Sequence, residues 1–70
     1  IENVLCGVTL KEKADGVIRV SVRSASPVDA SRICARFGGG GHKRAAGCRL
    51  GVSMEEAERL IAQAAVEELL

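Results

Sequence analysis

Four adjacent glycines, Gly38 to Gly41, run directly into His42, Lys43 and Arg44. The glycines strip a stretch of backbone of side chains, and the three residues after them carry or can take up positive charge. Main-chain N–H groups and cationic side chains could therefore hold a phosphate-sized anion between them. Glycine costs about 0.5 to 1 kcal/mol relative to alanine in ordered structure, so four in a row require a reason. One reason is purely structural: Gly38 supplies the left-handed turn that ends a helix, and its neighbours continue the loop. That reading covers the first glycine and leaves the other three, and the His-Lys-Arg, without an account.

Other glycine-rich chemistries fit the spacing less well. A P-loop would read G-x-x-x-x-G-K-[ST], but Lys43 is preceded by His42 and followed by Arg44, and the dinucleotide pattern G-x-G-x-x-G would need glycines at 43 or 44. Gly38 and Gly41 satisfy the GXXG clamp of a single-strand-binding KH module, yet that clamp joins two helices, whereas residues 45–50 alternate like a strand. With Phe37 the only aromatic residue, stacking platforms of several rings are excluded. Phosphate or sugar is the natural target, met by the glycine loop, by His42, Lys43 or Arg44, and by Arg23. No catalytic set can be assembled: Asp15 sits in a tight turn, Asp29 reads as a helix cap, and the later glutamates face solvent on a helix. Cys6, Cys34 and Cys48 lack C-x-x-C spacing and read as buried reduced thiols; a zinc site would need all three to converge on His42.

The elements that must position these groups are legible from periodicity. Val4, Cys6, Val8 and Leu10 alternate with Leu5, Gly7, Thr9 and Lys11, and Ile18, Val20 and Val22 alternate with Arg19, Ser21 and Arg23. Lys13-Ala14-Asp15-Gly16 between them is a turn, so the two runs form a hairpin with Arg19, Ser21 and Arg23 on one face. Ser26-Pro27 breaks the second strand. Asp29 then caps a helix carrying Ala30, Ile33, Cys34 and Phe37 on one side and Arg32 and Arg36 on the other. Ala46, Cys48 and Leu50 mark a third strand in which small residues allow close backbone approach. Ser53-Met54-Glu55-Glu56 is a capping box opening a helix with an Ala57, Leu60, Ile61, Ala64, Ala65 stripe. The expected fold is α+β, an α/β two-layer arrangement of order β-β-α-β-α: a small mixed sheet with helices on one face.

Bulk properties bound the rest. Seventy residues make one small domain. The formal charge of +1 hides a segregated pattern, with Arg32, Arg36, Lys43, Arg44 and Arg49 falling in an acid-free stretch and Glu55, Glu56, Glu58, Glu67 and Glu68 crowding the last helix. No run approaches the roughly 18 apolar residues of a membrane span. A reduced cytosolic compartment, and an excised piece of a longer protein beginning at Ile1, are the expectations.

Phe37 to Gly47, F-G-G-G-G-H-K-R-A-A-G, resembles the signature of the DHH-associated C-terminal domain, type 1, of DHH-family phosphoesterases, and Val20 to Ser24, V-S-V-R-S, resembles that family's arginine-bearing strand end. The likeness covers residues 1–70 as one substrate-binding domain. It implies a lobe that closes over an N-terminal DHH domain, where two divalent metals, usually manganese, hydrolyse a phosphoester. By the same resemblance Gly39, Gly40, Gly41 and His42 match the loop that meets a nucleotide, and Arg23 matches the arginine on its phosphate, while Lys43 and Arg44 occupy more variable positions. The H-K-R-A-A-G ending looks most like the bifunctional oligoribonuclease and 3'-phosphoadenosine-5'-phosphate phosphatase group. The implied partners are short RNA or a nucleoside bisphosphate, the DHH domain of the same chain, and a second copy of the parent protein. The fragment itself would hold no metal. RecJ-type exonucleases and cyclic-dinucleotide phosphodiesterases use related lobes. A rival reading is a non-catalytic RNA- or tRNA-docking appendage working through Arg32 and Arg36; a third makes Leu5, Leu69 and Leu70 a dimerisation surface.

Overall fold

A computed structural model describes residues 6–69. The element order is β1 (Cys6–Glu12), β2 (Ile18–Ser24), α1 (Ala30–Ala35), β3 (Gly40–His42), β4 (Ala45–Leu50) and α2 (Met54–Leu69). The strands form one sheet in the order β1-β2-β4-β3. Two helices with an antiparallel sheet make the α+β class the sequence predicts, with two differences. Every pairing is antiparallel instead of mixed, and Gly40–His42 is a short edge strand where the sequence predicts a loop. Val4, Leu5 and Leu70, which belong to the strand and dimer readings, lie outside the described residues.

The hairpin forms as its alternation dictates, with Val8 opposite Val22 and Leu10 opposite Val20. Its turn is closed by Gly16 N–H donating to the Lys13 carbonyl at 2.9 Å, and the Asp15 carboxylate accepts from Val17 N–H at 3.0 Å. Ile18, Val20 and Val22 of β2 and Cys48 and Leu50 of β4 are buried on the inner face, against Ile33 and Cys34 of α1 and Ala57, Ile61 and Ala64 of α2. Fully burying an aliphatic side chain contributes about 1.5 to 3 kcal/mol, so this single layer accounts for most of what stabilises so small a chain.

Both helix starts use the predicted caps. Asp29 accepts from Ser31 N–H at 2.9 Å and Arg32 N–H at 3.3 Å, and from the Ser31 hydroxyl at 2.5 Å. Those bonds, the hydroxyl's first, together with the charge of Lys43, hold its carboxyl below the usual value. Ser53 Oγ accepts from Glu56 N–H at 3.1 Å. The return bond of a capping box is replaced: the Glu56 carboxylate pairs with Arg59 one turn on. Burial, with Cys48 next to it, pushes the Cys34 thiol up to about 12, so both core cysteines stay protonated at neutral pH, as free thiols.

Candidate anion-binding face

Register decides which side chains meet on the outer face of the sheet, because directly paired residues in an antiparallel ladder point the same way. One row runs Gly7, Arg23, Ala45, His42 across β1, β2, β4 and β3. The next runs Thr9, Ser21, Gly47, Gly40, and the third runs Lys11, Arg19, Arg49. Arg23 and His42 thus lie in the same row with only Ala45 between them, about 10 Å apart at two strand spacings. Both are exposed. A small anion over Ala45 lies within reach of a guanidinium on one side and an imidazole on the other.

An open cleft of about 780 Å³ covers this face. Its floor is Ser21, Gly40, Ala45 and Gly47, its cationic walls are Arg19, Arg23 and Arg49, and the half-buried Phe37 borders the β3 side while also packing on the core. Phe37 therefore serves two surfaces, where its spacing suggests the core alone. Arg19 and Arg49 are visible as cations in the sequence, but only the pairing of β2 with β4 places them side by side on the cleft.

The glycines divide by purpose. Gly38, with φ of 82°, closes α1 in a Schellman arrangement: Gly39 N–H donates to the Cys34 carbonyl at 3.0 Å and Gly38 N–H to the Ala35 carbonyl at 3.2 Å. The helix-cap reading thus holds for Gly38. The amides of Gly38 and Gly39 are spent on the helix, so the supply of main-chain donors for a ligand is smaller than the sequence suggests. Gly39 is required by packing, since a Cβ there would lie 2.2 Å from the Gly47 carbonyl oxygen and 2.5 Å from the Cys48 Cβ. Gly41 combines φ of 149° with a would-be Cβ contact of 2.6 Å to the Ala46 Cα. Gly40 differs from both: a Cβ there meets nothing within 4 Å. Folding does not demand glycine at 40, and its bare surface faces the cleft.

Lys43 and Arg44 form the turn between β3 and β4 and line a separate groove with Ser26, Pro27, Asp29, Arg32, Glu67 and Glu68. Of the seven candidate residues, the structure therefore gathers Arg23, Gly39, Gly40 and Gly41 on the cleft and places His42 on the same sheet face, while Lys43 and Arg44 turn aside. What the turn contributes is main-chain. The Lys43 carbonyl accepts from Ala30 N–H at 2.8 Å and the Arg44 carbonyl from Ser24 N–H at 3.0 Å. Ser24 Oγ lies 2.8 Å from the Lys43 carbonyl and 2.9 Å from that of Val28, its one proton serving the two in turn. Ser24 thereby fixes the glycine hairpin against the strand end that carries Arg23. Its positioning role is not apparent from residue type.

The segregated charges of the sequence close on one another in space. Arg36 pairs with Glu67 and Glu68, and Arg32 with Glu68 at 3.3 Å. Both arginines of the alternative docking surface thus have carboxylate partners within the chain, although the Arg32 side chain stays 73% exposed. Among the described residues no group of three or more His, Cys, Asp or Glu side chains is placed to hold a metal ion, and Cys48 faces inward while His42 faces out. The three cysteines and His42 do not fit a metal centre.

Comparison with known proteins shows the family and the fold. The family model described as the DHHA1 domain matches residues 1–70. The chain is 39% identical over 70 residues to the bifunctional oligoribonuclease and PAP phosphatase NrnA of Thermus thermophilus, covering 99% of this chain and 21% of that protein. A crystal structure of an exopolyphosphatase-related protein from Bacteroides fragilis superposes with a TM-score of 0.85 at 35% identity, over 96% of this chain and 20% of the other. The chain spans about a fifth of the length of each of these relatives.

Proposed function

The chain belongs to the DHHA1 domain family, and from that premise we propose that it is the substrate-binding lobe of a metal-dependent phosphoesterase acting on short oligoribonucleotides or 3'-phosphoadenosine-5'-phosphate. The observation that carries the reading is the shared row of Arg23 and His42 beside the bare surface of Gly40. Arg23 presents a fork of donors to a terminal phosphate, and each charge-assisted bond contributes about 1.5 to 3 kcal/mol. His42 bonds the same phosphate or the adjoining sugar from the far side. Gly40, with Gly47 beside it on β4, lets the sugar-phosphate lie against the backbone. The metals, manganese in this reading, belong to a DHH domain preceding this lobe in the same protein and supply the attacking water when bound. This chain's residues hold the phosphate end in register for that attack, and the parent acts as a homodimer in the cytoplasm, where the free thiols at Cys34 and Cys48 are at home.

Steady-state kinetics of the full-length protein test the assignment. Arg23→Gln and His42→Ala should each lower kcat/KM on adenosine 3',5'-bisphosphate by about 10- to 100-fold, with melting temperatures close to that of the parent. Unchanged kinetics in both variants would reject the site.

A further inference from the structure

The outer face carries a second cationic group that the terminal phosphate does not use. Lys11 stands directly opposite Arg19, and Arg19 directly opposite Arg49, so three like charges line up across β1, β2 and β4, all exposed. Like charges paired across strands destabilise a sheet, and burial offers no compensation here. The ion pairs among the described residues involve Arg32, Arg36 and Arg59, and none of them reaches this row. Arg19 and Arg49 also border a small groove of about 150 Å³ with Lys13, Asp15 and Val17. The Asp15 carboxylate there is turned to its own turn, accepting from Val17 N–H. Arg19 and Arg49 also line the main cleft, so the two depressions share these two side chains.

Distance gives the row a meaning. Arg19 and Arg23 are four residues apart on β2, about 13 Å along an extended strand. That span exceeds what one ribose places between its 3'- and 5'-phosphates. The floor between the ends is Thr9, Ser21, Gly47 and Gly40, two hydroxyls and two bare backbones, with nothing bulky to lift a chain off the sheet.

We propose that Lys11, Arg19 and Arg49 form a second anion subsite, which holds a downstream backbone phosphate of a linear oligonucleotide whose end lies at Arg23 and His42. The proposal rests on the terminal-phosphate reading above and adds a reason for the protein to distinguish an oligonucleotide from a single nucleoside bisphosphate.

The test is equilibrium binding to the full-length protein of an end-labelled RNA trinucleotide and of adenosine 3',5'-bisphosphate, over a range of salt concentrations. The double variant Arg19→Gln, Arg49→Gln should weaken the trinucleotide about tenfold and flatten its log K against log salt slope by about 0.7 for each phosphate no longer neutralised. Bisphosphate affinity should stay within about twofold, since that ligand ends short of the row. Arg19→Lys with Arg49→Lys keeps the charge and should retain trinucleotide affinity and slope. Equal weakening of both ligands, or of neither, overturns the subsite, as does a double variant whose only defect is weaker docking to the rest of the protein, the mark of a domain-docking patch. If Arg23→Gln spares both ligands, the terminal site itself is wrong and the subsite falls with it, an outcome distinct from the failure of Arg19 and Arg49 alone.

Discussion

Arginines occupy two surfaces of this lobe and meet opposite fates. On the helical side, Arg32 and Arg36 reach across to Glu67 and Glu68 at the end of α2, so that a basic stretch and an acidic one, widely separated in sequence, neutralise each other. On the outer sheet face, Arg19, Arg23 and Arg49 project from β2 and β4 over small residues. Residue type does not separate the two groups. What separates them is whether the fold brings a carboxylate within reach: the first surface is ion-paired within the chain, and the second is left open to the anion proposed above.

The sharpest way to break that contrast is through neighbouring glycines. Gly39→Val would drive a side chain into the Gly47 carbonyl and Cys48, and a loss of about 1 to 3 kcal/mol or more is expected in denaturant titration. A Cβ at Gly40 meets nothing within 4 Å, so the stability of Gly40→Val should hold within about 0.5 kcal/mol. The same change should cost about a hundredfold in kcat/KM, because a phosphate end displaced by even a small step is misaligned for attack. Matching stability losses in the two variants would return Gly40 to a structural role.

A smaller effect is expected where the two surfaces join. Ser24→Ala removes the hydroxyl shared by the Val28 and Lys43 carbonyls and should cost about 1 kcal/mol, with a modest rise in KM as the hairpin carrying His42 loosens against Arg23. A rise in KM without any stability change would mean that Ser24 touches the ligand itself.

How much of the molecule is readable from its sequence follows from which signals are local. The β1–β2 hairpin, the Asp29 and Ser53 caps, the Gly38 stop and the β4 alternation all depend on residues near one another in sequence, and all appear in the structure. Strand β3 is not legible, because three consecutive residues dominated by glycine carry no alternation. The pairing order β1-β2-β4-β3 is not legible either, and it alone sets Arg49 beside Arg19. Adjacency to His42 points Lys43 and Arg44 at the site, yet a tight turn reverses the chain there and carries their side chains to another groove.

The smallest effect belongs to the helical surface. Arg36, with Gln63 assisting, holds the Glu67 carboxyl below its usual value of 4.5. A carboxylate lowered in the folded state stabilises above its unfolded pKa, and that contribution fades as pH falls through the folded value. Thermal melts of the parent should therefore lose slightly more stability than Arg36→Gln on acidification from about pH 5 to pH 3, with the difference shrinking in high salt. Activity at neutral pH should be the same in both; a kinetic defect in Arg36→Gln would undo the contrast from its other side.

The segment from Gly38 to Arg44 is bonded at every stage: to the end of α1 through Cys34 and Ala35, by close approach to Gly47 and Ala46, and at its turn to Ser24 and Ala30. No hinge is left inside it. If the face takes a nucleotide as proposed, the glycines do not fold down over it like a flap. In the proposed function, engagement is then a rigid-body approach of the whole lobe, with closure governed at its joint with the proposed DHH domain.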